Sequence, residues 1–150
     1  MINKLRVRAQ SESGFTLVEL LVVMLILGLL AAIAIPSFFN QRDKARDADA
    51  KSVARTSQTA METYATDHQG SYVGADFAAL TSIENTLTGE TVAVTGVDGT
   101  GVPAAKEYRV TATSSTGNTF WISRASTGVT ALGCATANSG GCPDGGNWGG

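Results

Sequence analysis

Sixteen consecutive positions, Leu20 to Ile35, carry no polar side chain. With its flanks the apolar stretch runs from Phe15 to Phe39, 25 residues. As a helix, that length crosses a hydrocarbon layer of about 30 Å. At 150 residues the chain is long enough for this span and one further domain. Residues 15–39 therefore require a bilayer or an equally apolar assembly around them. Glu19 is the only charge between Phe15 and Phe39. A carboxylate in hydrocarbon costs roughly 3 kcal/mol even on insertion scales. Glu19 is thus a candidate functional residue, and its partner should be a cation at the same depth.

Charge divides unevenly along the chain. Residues 1–14 hold Lys4, Arg6 and Arg8 against Glu12, a net +2, which leaves −4 on the remainder of a chain of net −2. Basic residues ahead of an apolar span keep that end cytoplasmic, so the rest is expected outside. A net-acidic exterior domain has no broad attraction for nucleic acid. Cys134 and Cys142, seven residues between them, are expected to pair in an exported domain. Closing so small a loop is worth roughly 2.5 kcal/mol in the chain-entropy description.

Gly28 and Pro36 interrupt the apolar run. Pro36 removes an intrahelical hydrogen bond and should kink the helix. After Asn40 the pattern becomes that of a soluble helix. Residues 42–51 form a mixed-sign block in which Asp47 and Lys51 are spaced i,i+4 and Asp43–Arg46 and Arg46–Asp49 are spaced i,i+3. This block reads as a solvated face or as a place for lateral pairing between subunits. Ala50, Val53, Ala54, Ser57, Met61, Tyr64 and Ala65 then fall on one face, which should pack on a sheet. The helix is expected to stop near His68–Gly70.

Residues 70–90 read as a connecting αβ region, with Asp76 capping a short helix through Phe77, Leu80 and Ile83. Strand signals follow at 91–97, 106–114 and 119–126, and more weakly at 128–132. Ser115-Thr116-Gly117-Asn118 and Ser126-Thr127-Gly128 are turn signals. The Gly-rich tail, 134–150, is bounded by the cysteines, and any order in it would come from the disulfide and Trp148. Trp121, opposite in phase to Phe120 and Ile122, is read either as core or as a contact residue; Trp148 is a contact candidate.

Catalytic chemistry is hard to place. His68 is the only histidine, no Ser-His-Asp arrangement or His/Cys metal spacing exists, and no cofactor, metal or enzyme activity is expected. Asp98 and Asp144 with Asn147 could offer oxygens to calcium, but they read more simply as Asp-Gly turns.

The segment Gly14-Phe15-Thr16-Leu17-Val18-Glu19-Leu20 resembles the processing site of type IV prepilins and pseudopilins. The resemblance covers residues 1–40 closely and fades to a likeness of layout beyond about residue 68. It implies a leader, 1–14, cut between Gly14 and Phe15 by a membrane peptidase that also methylates the new Phe15 amine. It implies that Gly28 and Pro36 are helix-weakening positions between which the helix can unwind on assembly. It further implies a homo-oligomeric filament extracted from the membrane by a platform protein and an ATPase, with minor pilins as further partners. In that filament the Phe15 amine of a neighbouring subunit is the natural partner of Glu19.

The expected fold is α+β. A long N-terminal helix comprises a span at 15–39 and an amphipathic continuation at 40–69. A small antiparallel sheet of three to four strands, 91–133, packs on its C-terminal half. The expected function is that of a structural pilin, held in the cytoplasmic membrane before assembly and on the cell surface afterwards. The alternatives are a pseudopilin of a secretion or DNA-uptake system, or a secreted binding module released by ordinary signal peptidase after Ala34.

Overall fold

The computed structural model describes residues 14–149, so the expected leader up to Ser13 lies outside the described residues. Helix α1 runs from Leu17 to Asp67. It is followed by α2 (Phe77–Ile83) and a short 3-10 turn, Asn85–Leu87. Four strands come next: β1 (Val92–Thr95), β2 (Tyr108–Thr113), β3 (Thr119–Arg124) and β4 (Thr130–Cys134). They form one antiparallel meander in the order β1-β2-β3-β4. The fold is α+β, as the sequence patterning anticipates. The chain divides into two units that meet between Phe38 and Phe39.

In the second unit one face of α1 is the foundation of the core. Ala50, Ala54, Ala60, Met61, Tyr64 and Ala65 are buried, and Val53 packs beside them. Small residues dominate this face and leave room for the sheet. The sheet supplies Tyr108, Val110, Ala112, Phe120 and Ile122, all at most 1 % exposed. Their alternation with Arg109, Thr111 and Trp121 is the period-2 pattern of a half-buried sheet. On the exposed face of α1, the hydroxyls of Thr59, Thr63 and Thr66 donate to carbonyls four residues back, sharing acceptors with the backbone ladder.

Ser57 sits in the same buried face, its Oγ without a hydrogen-bond partner. A buried hydroxyl left unpaired is a net cost. Ser57→Ala is expected to stabilise this second unit by about 1 kcal/mol, read as a higher denaturant midpoint at unchanged slope.

Helix α1 ends as the sequence suggests, but one residue early in detail. Gln69 already takes a left-handed backbone (φ 58°), and the Gly70 N–H then donates to the Ala65 carbonyl at 2.6 Å. That six-to-one bond is the signature of a Schellman stop. His68 stacks on Tyr64 with ring centres 3.8 Å apart. Asp76 caps α2 by accepting from the Ala79 N–H at 2.8 Å.

Two predictions about single residues need correction. The Asp47–Lys51 pair on a solvated face does not form. Asp47 is fully buried, and its carboxylate accepts from Thr116 Oγ1 (2.5 Å), Asn118 Nδ2 (2.8 Å) and the Gly141 N–H (2.7 Å). These donors lie far along the chain, beyond the reach of a helix-periodicity argument. Of the block's i,i+3 pairs, Asp43–Arg46 forms at 3.8 Å. Trp121 is not core. It lies on the sheet face opposite to Phe120, covered by the Arg109 guanidinium 4.4 Å from its ring and seated on Gly133, its cross-strand partner. A Cβ at Gly133 would overlap that ring.

The tail is tied down. Cys134 and Cys142 form a disulfide. Trp148 is buried, donates its indole N–H to the Gly133 carbonyl at 2.7 Å, and meets Phe120 edge to face. It is therefore a core residue rather than an exposed contact.

A second polar cluster closes the other end of the domain. Glu62 on α1 accepts from Tyr72 (2.8 Å) and Tyr108 (2.9 Å) and pairs with Arg124 at 3.6 Å. Burial, then the hydrogen bond to the Glu62 carboxylate and its charge, push the Tyr72 phenol up to about 12; the same causes, in the same order, push Tyr108 up further. A phenol in the unfolded chain ionises near pH 10. The folded state holds both protons longer, so this contribution is whole below about pH 10 and is lost as pH rises beyond it. Urea midpoints should be level from pH 8 to 9.5 and fall steeply between pH 10 and 12.

Candidate functional site

The candidate site is the N-terminal segment, built on the first unit. From Gly14 to Phe38 every residue is exposed except the half-buried Ala31. Leu17, Met24, Leu25 and Ile33 are each at least 70 % exposed. The helix is apolar around its whole circumference, and burying each such side chain is worth about 1.5–3 kcal/mol. Among the described residues, α1 is the one helix long and apolar enough to cross a membrane.

The start of the helix is set by Thr16, whose Oγ1 accepts from the Glu19 N–H at 3.2 Å while its carbonyl accepts from Leu20. Thr16-Leu17-Val18-Glu19 therefore has the spacing of a capping box, a signal that our sequence reading passed over. The cap satisfies one of the orphan amides that would otherwise enter an apolar medium. It also fixes Glu19 in the first turn, where the helix dipole favours an anion. Glu19 itself is exposed, and among the described residues no cation lies within ion-pair distance of it.

Gly14 and Gly28 are unexplained by the chain itself. A Cβ at either position would meet nothing within 4 Å. Gly28 costs the helix roughly 1 kcal/mol relative to alanine without any packing return in the subunit. Pro36 lies inside α1, which continues through it. Lacking an N–H, it leaves the Ala32 carbonyl without its usual donor. Phe15 precedes the cap and is 75 % exposed. Among the described residues, then, Gly14 and Gly28 pack against no side chain and Glu19 pairs with no cation.

A family described as the prokaryotic N-terminal methylation motif matches residues 10–35. Among curated proteins, the chain is 37% identical over 59 residues to the type II secretion system core protein G of Pseudomonas aeruginosa, covering 39% of this chain and 42% of that protein. It is 41% identical over 51 residues to the type IV major pilin protein PilA of Myxococcus xanthus, covering 34% and 23%. It is 33% identical over 57 residues to the competence protein ComGC of Halalkalibacterium halodurans, covering 38% and 56%. Over its N-terminal region, the chain is similar to type IV pilins and to pseudopilins. The match spans less than half the length of the first two relatives. No solved structure gives a match.

The matched residues include Gly14, Phe15, Glu19 and Gly28, while Pro36 lies one position beyond the motif. Asp98, considered above for calcium, is instead the centre of a tight turn, accepting from the Thr100 N–H and hydroxyl at 2.9 and 2.8 Å. Those bonds hold its carboxyl below the usual range. Among the described residues no group of three or more His, Cys, Asp or Glu could hold a metal ion.

Proposed function

We propose that the chain is a structural subunit that polymerises from the cytoplasmic membrane into a type IV pilus-like helical filament. The observation that carries this reading is Glu19, an exposed carboxylate with no cation in ion-pair distance among the described residues, in the first turn of a helix apolar on every side. In a monomer the group only raises the cost of insertion. In a packed bundle of such helices it meets the Phe15 amine of a neighbour, once cleavage after Gly14 has created that amine. The bundle interior is as apolar as the bilayer, so transfer of residues 15–39 between them loses little hydrophobic energy.

On this reading a prepilin peptidase cuts between Gly14 and Phe15 and methylates Phe15. A platform protein and an ATPase then extract the subunit, and minor pilins join it in the filament. Gly28 and Pro36 mark where the helix gives way on packing. The domain from residue 39 onward lies outside the membrane and then on the cell surface. The pseudopilin reading is favoured by the protein G relative. It shares every step except the final length and location of the filament.

Processing provides the test. Among the described residues nothing would meet a side chain at Gly14, which supports a requirement set by the peptidase site. Gly14→Val should leave full-length protein in the membrane and no filaments, whereas the parent should begin at Phe15. A mature N-terminus at Ile35 would instead establish the secreted module, and normal cleavage of Gly14→Val would contradict the assignment.

A further inference from the structure

Between α1 and the disulfide loop lies an open groove of about 880 Å³, lined by Asn40, Asp43, Lys44 and Lys51 on one side and by residues 138–144 on the other. Its cations have not been given counter-ions. Lys51 is half-buried, and its Nζ donates to the Gly141 carbonyl at 2.6 Å while lying 5.2 Å from the Phe120 ring and 5.9 Å from the Trp148 ring. The acid one helical turn back, Asp47, is turned away onto Thr116 and Asn118. Among the described residues neither Lys44 nor Lys51 has a carboxylate within ion-pair distance, whereas Asp43 is held by Arg46.

We infer that this groove recognises an extended acidic peptide with two carboxylates about 10 Å apart. Lys44 and Lys51 are seven residues apart on one helix face, a rise of about 10 Å. A chain in the extended polyproline-II form rises about 9 Å in three residues and returns side chains i and i+3 to one face. Asn40 and Asn138, with the loop backbone, offer the amide groups that a peptide backbone can pair with. The groove also carries Asp43 and Asp144, which oppose a polymer charged at every unit, such as polyphosphate, but leave room for carboxylates spaced three residues apart. A metal ion is disfavoured because the Lys51 ammonium already occupies the Gly141 carbonyl.

The test uses full-length protein in neutral detergent and a synthetic peptide, acetyl-Glu-Ser-Thr-Glu-amide, with Trp148 fluorescence as the readout beside Lys51. A saturable change is expected. It should be absent with the Gln-Ser-Thr-Gln peptide, weaker with a peptide whose glutamates are adjacent, and absent with tripolyphosphate. Lys44→Gln, an exposed change that leaves the fold intact, should weaken binding about threefold, and Asp144→Asn should tighten it by a similar factor. Lys51→Gln should weaken it about tenfold. Equal binding of the Glu and Gln peptides, stronger binding of tripolyphosphate, no response at all, or indifference to Lys44→Gln would each overturn the inference. None of these outcomes depends on filament formation.

Discussion

Glu19→Ala is expected to insert into the membrane at least as well as the parent chain and to be cut normally after Gly14. It should nevertheless form no filaments when it is the only subunit present. Removing the carboxylate removes an insertion cost of roughly 3 kcal/mol, so the monomer gains. The assembly loses an attraction of about 4 kcal/mol at about 4 Å and an effective dielectric near 20, before desolvation. Even one third of that, repeated at every subunit, shifts each association step about tenfold. Glu19→Asp should recover only part of the yield, because its shorter side chain reaches a neighbouring amine poorly. The measurements are membrane fractionation, mature N-terminal sequence and filament yield by electron microscopy. Wild-type filament yield from Glu19→Ala alone would remove charge pairing from the mechanism.

The second large effect is expected at Asp47, in the exterior domain. Asp47→Ala removes the acceptor shared by three half-buried donors, Thr116 Oγ1, Asn118 Nδ2 and the Gly141 N–H, leaves the first two only their longer bonds to Ser114 and Ser139, and should cost about 3 kcal/mol. That is a large share of the 5–15 kcal/mol typical of a domain. Asp47→Asn should recover about half. Its carbonyl can keep Asn118 and Gly141, and the rotatable Thr116 hydroxyl can turn to accept from the new amide. The parent should also be acid-sensitive. Burial acts to raise the Asp47 pKa, but the hydrogen bonds from Thr116, Gly141, Asn118 and Ser114 together outweigh it and hold the carboxyl below its ordinary value. Its contribution is therefore present above about pH 4 and is lost as pH falls below that. Denaturant midpoints of parent and Asp47→Asn should converge as pH drops from 4 to 2. Parallel curves would show that the carboxylate is not the source.

The contrast between Glu19 and Asp47 shows what was legible in the sequence. Residues 15–39 announce themselves because one physical quantity, hydropathy, dominates every position, and a single acid stands out against it. The α+β layering and the alternation in β2 and β3 follow from local periodicity in the same way. Asp47 was read as part of a solvated charge block because its local neighbours are charged, yet its three donors are 69, 71 and 94 residues away. Trp148 was similarly read as a contact residue, since nothing near it in the chain indicates Phe120 as its partner. The Thr16 cap, by contrast, was available at a spacing of three residues and was obscured by the stronger motif laid over it.

The Asp47 clasp also bears on the order in which this domain can form. The helix that carries the carboxylate is made first, and the loop that completes its shell is synthesised later, Gly141 following Asp47 by 94 residues. Gly140 and Gly141 are what allow that loop to close, since a Cβ on either would strike Asp47. Until residue 141 has emerged, the acid has two of its three direct donors and Lys51 lacks its carbonyl; Phe120 waits a little longer, for Trp148. Closure of loops this long is slow relative to helix formation. Maturation of this domain is thereby tied to arrival of residues 138–148, and a chain truncated before residue 138 should remain open to proteases at its sheet while its helix is already complete.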